Sequence, residues 1–180
     1  MKTKLFILVL ALQSAWILGT AIVQEHTLAS GKVILLETAR VDPRDLLRGD
    51  YLILNYKISD VPVNLFSPPA TKDLPNGTKI YVALAPTTNQ FYVVTRASAN
   101  EFTPAAGEVL LRGKSDQSRW SSTNSIHVEY GLERFYVAEG TGNPTGKLTA
   151  QVAVPASGRS RVKEVFVDGK PYAEAMKERR

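Results

Sequence analysis

No cysteine occurs in the 180 residues, and histidine occurs only twice, at His26 and His127. The first absence excludes a disulfide framework, a thiolate-held zinc or iron–sulfur site and a cysteine nucleophile, and it leaves the redox compartment open. The second leaves little to hold a metal, since no pair of carboxylates joins either histidine at ligand spacing; no metal and no cofactor are expected, and His127 reads as a packed or hydrogen-bonded strand residue. Repeats and low-complexity tracts are also missing. So is concentrated positive charge. The net charge is +5 and the pI is near 9.5, but the basic residues are scattered one or two to a segment, unlike the basic stripe of a nucleic-acid binder. Only "YAEAMKERR" is dense, and Glu174 and Glu178 interrupt it. The expectation there is a solvated tail with helical character, residues 173–180. The same basic balance suits the surface of an anionic membrane.

One long apolar run is present. After "MKTK", residues 1–4, the segment 5–23, "LFILVLALQSAWILGTAIV", carries no charge. Its length matches the roughly 20 helical residues that cross a hydrocarbon core of about 30 Å. A cleaved signal peptide has a shorter apolar region ending at small residues; "TLAS" and "LGTA" are weak cleavage candidates, and length favours a retained transmembrane anchor. Lys2 and Lys4 hold the amino terminus in the cytoplasm under either reading. The chain that follows is then extracytoplasmic, and periplasmic in a cell with an outer membrane. Ala11, Ala15 and Gly19 recur every fourth residue, with Ser14 beside them, a small-residue stripe of the kind that lets helices pack closely in a membrane.

From residue 24 to 172 the chain reads as one β-rich domain. The hydrophobic fraction of 44% is ordinary for a globular protein,. "KVILLETA" is a strand, and "VDPRDLLRG" a capped helical turn with Asp42 as N-cap, Pro43 at the first position and Gly49 as stop. "YLILNYKI" alternates, which puts Leu52, Leu54, Tyr56 and Ile58 on the core face and Tyr51, Ile53, Asn55 and Lys57 on the other. "SDVPVNLFSPPATKDLPNGT" is proline-rich and reads as a loop. Two hairpins are expected, "KIYVALAP" with "QFYVVTRA" and "KLTAQVAV" with "RSRVKEVFV". "GEVLLRGK" is a further strand, "DQSRWSSTNS" a polar loop, "IHVEYGLERFYVAEG" two strands broken at Gly131, and "VDGKPY" an Asp-Gly turn. The fold class is mostly β, an antiparallel sandwich or partly closed barrel behind one N-terminal transmembrane helix.

Several motifs that suggest chemistry do not hold it. "GTGNPTGKL" looks like a phosphate loop, but Thr141 stands where the first glycine is needed and Leu148 where Ser or Thr is needed. "ERFYVAEGTG" places Glu133 and Arg134 before an aromatic pair and Glu139 at a Gly-rich loop. Type I signal peptidases also set a β-rich domain just outside an anchor, and Ser30 with Lys57 or Lys79 would be the serine–lysine pair. Ser30 is followed by Gly31, Lys32 and Val33 and so lacks the S-x-x-P pattern, and Lys57 alternates onto the outer face, where desolvation would not activate it.

"GDYLILNY" spells G-D-Y-x-x-L-x-Y. With "VDPRDLLRGDY" upstream and "YGLERFYVAEGTG" and "VFVDGKPY" downstream, it resembles the bacterial membrane-anchored GDYXXLXY family, and Gly49, Asp50, Tyr51, Leu54 and Tyr56 fill the lettered positions. The resemblance implies a single amino-terminal membrane segment, an extracytoplasmic β-rich domain and a multi-spanning membrane protein as partner, with no assigned activity. Physically, the motif is first of all an elbow that fixes strand register, with Gly49 turning the chain and the two tyrosines on opposite faces. A polar contact surface is sought at Arg48, Asp50 and Tyr51, where Arg134 and Glu139 would approach the Asp50 turn. The expected function is non-catalytic: a membrane-tethered domain that binds or stabilises an integral membrane partner, with no nucleic acid and no known small molecule. The alternatives are a membrane-bound serine–lysine hydrolase and a module binding a cell-envelope saccharide or peptide, which an aromatic-lined groove would favour.

Overall fold

The computed structural model describes residues 2–39, 51–69, 74–116, 124–138, 144, 146–156 and 158–178. The helical turn expected at "VDPRDLLRG" and most of the polar loop "DQSRWSSTNS" lie outside them.

Helix α1 runs Lys2–Ser30 and passes through Gly31 directly into β1, Lys32–Glu37. Inside it the hydroxyl of Thr20 donates to the Ile17 carbonyl at 2.8 Å, so a polar side chain on the apolar run is satisfied within the helix,.

The strands that follow are β2 (Tyr51–Ile53), β3 (Asp60–Pro62), β4 (Lys79–Pro86), β5 (Tyr92–Ser98), β6 (Val109–Ser115), β7 (Ser125–Glu129), β8 (Arg134–Tyr136), β9 (Leu148–Val154), β10 (Arg161–Val167) and β11 (Lys170–Pro171). They form a four-stranded sheet β1-β9-β10-β11, a five-stranded sheet β3-β7-β6-β4-β5 and a two-stranded ribbon β2-β8. All their ladders are antiparallel. A bridge between Leu35 and Phe91 joins the two larger sheets, and the result is a nearly closed barrel-like body.

Both expected hairpins are present, β4–β5 and β9–β10. Gln90 takes φ 67° to turn the first, and Asp168 and Gly169 take φ 50° and 85° to turn β10 into β11,. Gly113 on β6 serves packing instead of turning: a Cβ there would overlap Val128 Cγ1 and sit 2.7 Å from the Glu129 carbonyl,.

The core fills largely with alternate residues of the longer strands. Ile34 and Leu36 of β1, Val82 and Leu84 of β4, Leu111 of β6 and Val152 of β9 are all at most 1% exposed. Each such side chain contributes about 1.5–3 kcal/mol by leaving water.

Two expectations need correction. The proline-rich stretch contains a strand: Val61 of β3 is wholly buried and pairs with Ile126. Pro62 is tolerated because β3 is the edge of its sheet, where a missing N–H costs no ladder bond,. The cationic end has the helical character expected of it but is not freely solvated. It forms helix α2, Tyr172–Lys177, and buries Tyr172, Ala175 and Met176. These residues share one face at i, i+3 and i+4, and the Tyr172 ring meets Phe135 edge-on, centroids 6.2 Å apart,.

Candidate functional site

The stretch 51–58 keeps its alternation even though only its first three residues form a ladder. Leu52, Leu54, Tyr56 and Ile58 are all buried, as expected. Two tyrosines pin this stretch to the turn between β7 and β8. The Tyr56 hydroxyl donates to the Leu132 carbonyl at 2.9 Å, and the Tyr130 hydroxyl donates to the Ile58 carbonyl at 2.8 Å. Between them the Leu54 N–H donates to the Glu133 carbonyl at 2.7 Å. Gly131 turns the chain with φ 75°, and Glu133 Oε1 accepts the Tyr130 N–H at 2.6 Å. Burial drives the ionisation of both tyrosines far above the ordinary phenol range, with the Glu133 carboxylate adding to the effect,. The second half of the G-D-Y-x-x-L-x-Y motif therefore works as a clamp.

Register sets the other face. Tyr51 pairs with Tyr136, Leu52 with Phe135 and Ile53 with Arg134. Since side chains alternate along each strand, Leu52 and Phe135 point inward, while Tyr51, Ile53, Arg134 and Tyr136 share the outer face. There the Arg134 guanidinium lies over the Tyr51 ring, 5.6 Å from its centroid, and the Tyr51 and Tyr136 rings are 6.1 Å apart. With Glu129, Gly131, Glu133 and Arg161 these residues line a groove of about 460 Å³.

Of the residues expected at a contact surface, Tyr51 and Arg134 are thus brought together. Arg48, Asp50 and Glu139 lie outside the described residues, as does Gly49. Glu129 and Arg161 were not anticipated. Arg161 reaches the groove from β10 by long-range register, which local patterning does not reveal; Gly131, which breaks β7 from β8, was the available signal for Glu129.

The residues weighed for other chemistry sit apart. His127 Nδ1 is 2.8 Å from Asp60 Oδ1, a hydrogen-bonded strand histidine, and no group of three potential metal ligands occurs among the described residues. Lys57 is exposed and pairs with Glu37 at 2.8 Å; Lys147 pairs with the other oxygen of Glu37 at 2.5 Å. These two ammonium groups hold the Glu37 carboxyl below its ordinary range, Lys147 foremost. Lys79 is exposed as well, so neither candidate lysine has the desolvated surroundings that a serine–lysine base requires.

A family model described as "GDYXXLXY protein" matches residues 13–165, from the middle of α1 into β10. No curated protein and no solved structure matches the chain.

Proposed function

Since the chain belongs to the GDYXXLXY family, we propose that it is a membrane-tethered, extracytoplasmic and non-catalytic β domain that binds or stabilises a multi-spanning membrane protein. The observation that carries this reading is the uncovered helix. From Lys4 to Val23 α1 is long and apolar enough to cross a membrane, and none of that span is buried against the body. Leu5, Phe6, Leu12, Trp16 and Ile22 each leave more than three-fifths of their surface uncovered. Lipid, or the helices of another protein, supplies what the body does not. Lys2 and Lys4 orient the helix with its amino terminus inside. Beyond Val23 the helix continues to Ser30, a rise of about 10 Å that holds the body close to the membrane surface. On the helix Ala11, Ala15 and Gly19 fall on one face, and a Cβ on Gly19 would meet nothing within 4 Å. That is room for a second helix to approach.

The test has two parts. Protease added to intact spheroplasts should digest the body, and affinity purification from solubilised membranes should recover one stoichiometric multi-pass protein. Recovery should fall in Ala15→Leu and Gly19→Leu variants that remain in the membrane fraction. A body shielded in spheroplasts but digested in lysed cells would reverse the orientation and end the proposal, as would a protein recovered alone from every membrane preparation.

A further inference from the structure

The outer groove of the β2–β8 ribbon plays no part in that tether, and its chemistry is of two kinds. Tyr51 and Tyr136 form an aromatic edge with planes tilted by 58°, and Tyr136 leaves 72% of its surface in solvent. Around them stand two guanidinium groups, Arg134 and Arg161, and two carboxylates, Glu129 and Glu133. The Tyr51 ring positions Arg134. Glu133 is positioned by the Tyr130 N–H, which uses one of its two oxygens. Arg161 and Glu129 make no ion pair among the described residues, so the opposite charges line the groove without neutralising one another in direct contact.

This composition selects against ligands of one charge. A phosphate or polyanion would meet Glu129 and Glu133, and a polyamine would meet Arg134 and Arg161. The complementary ligand has no net charge, presents many hydroxyls that both donate and accept, and has a flat apolar face to lay on a tyrosine. That is a pyranose sugar. Adjacent hydroxyls suit the fork of a guanidinium on one side and the paired oxygens of a carboxylate on the other. Its C–H face suits the exposed Tyr136 ring. A volume of about 460 Å³ lies in the lower part of the roughly 300–1,000 Å³ range of small-molecule sites, enough for one or two rings.

We propose that this groove binds a neutral pyranose saccharide, with Tyr136 as the stacking platform and Arg134, Arg161, Glu129 and Glu133 as partners for its hydroxyls. The proposal stands independently of the tether: a partner lost or an orientation reversed leaves the groove as it is.

The experiment uses the full chain in nanodiscs, so that no sugar-headed detergent competes. Diacetylchitobiose, cellobiose and maltose are the neutral probes; succinate, putrescine and the dipeptide Lys-Glu are the charged ones. Binding is followed by saturation-transfer NMR and calorimetry. At least one disaccharide should bind, with an affinity unchanged from low to high salt, and Tyr136→Ala and Arg161→Gln should each weaken it at least about tenfold while circular dichroism stays that of the parent. The proposal is overturned if none of the three disaccharides binds, if both variants bind as the parent does, or if a charged probe binds more tightly than every sugar.

Discussion

Leu12 and Leu36 are the same side chain in opposite circumstances. Leu12, in the middle of α1, is 72% exposed, whereas Leu36, on β1, is 0% exposed, and only one helix end and a glycine separate their elements. The body closes its own core; α1 contributes nothing to it and takes nothing from it along its apolar span. The two regions therefore share no apolar packing along that span, and their stabilities should be separable,.

The sharpest way to break that contrast is to truncate both leucines. Leu36→Ala removes a buried side chain and leaves a cavity, which should cost about 2–5 kcal/mol. Leu12→Ala should leave unfolding of the body within about 0.5 kcal/mol of the parent. Denaturant titration of the detergent-solubilised protein, followed by the β signal in circular dichroism, measures both. Equal losses would mean that the helix belongs to the core.

A smaller effect is expected at the clamp, where the body's own polar groups are sealed in. Tyr56→Phe removes the hydroxyl that serves the Leu132 carbonyl and should cost about 1–2 kcal/mol. Its pH signature has a definite sign. The folded state holds Tyr56 and Tyr130 above their ordinary value of 10.0, so the unfolded chain releases its protons first, and stability falls as pH rises past about 10. Each tyrosine contributes a slope of about 1.4 kcal/mol per pH unit there. Tyr56→Phe should remove one such contribution from the alkaline limb. An unchanged slope would mean that the hydroxyl reaches water.

Weaker still is the Glu37 triad at the surface of the body. Its folded carboxyl lies below the ordinary value of 4.5, so its contribution is present above that pH and is lost as pH falls through the lower folded value. Lys57 and Lys147 are more than half exposed, and solvent screening keeps the contribution of the network to a few tenths up to about 1 kcal/mol. Glu37→Gln should flatten the acid limb by that amount. Acid titration of the parent and the variant, side by side, measures it.

How much of this was legible beforehand follows the same division. Turns that need positive φ, such as Asp168-Gly169, and the buried face of a cleanly alternating stretch, such as 51–58, declare themselves locally, although only Tyr51–Ile53 of that stretch form a strand. β3 did not, because Val61 lies next to Pro62 in a proline-rich stretch, and only its place at a sheet edge makes that sequence a strand. The face of α2 formed by Tyr172, Ala175 and Met176 was present in the spacing but masked by the surrounding charge. At the groove, Tyr51 and Arg134 could be linked because both lie in segments carrying the family resemblance. Arg161 could not be, since its position depends on β10 register across the whole body, which no local pattern encodes.

The smallest expected effect lies on the ribbon itself, where the contrast between the regions recurs within a single pair of strands. Leu52 and Phe135 face the core, while their neighbours Tyr51 and Tyr136 face the groove. Tyr136 gives up little water on folding, and its contact with Tyr51 is at a ring separation of 6.1 Å. Tyr136→Ala should therefore change stability by no more than about 0.5 kcal/mol, measured in the same denaturant titration as Leu36→Ala. A solvent-facing aromatic whose removal costs no stability leaves its ring free to serve as the groove's platform. A loss comparable with that of Leu36→Ala would assign Tyr136 to the scaffold and remove the groove's stacking platform.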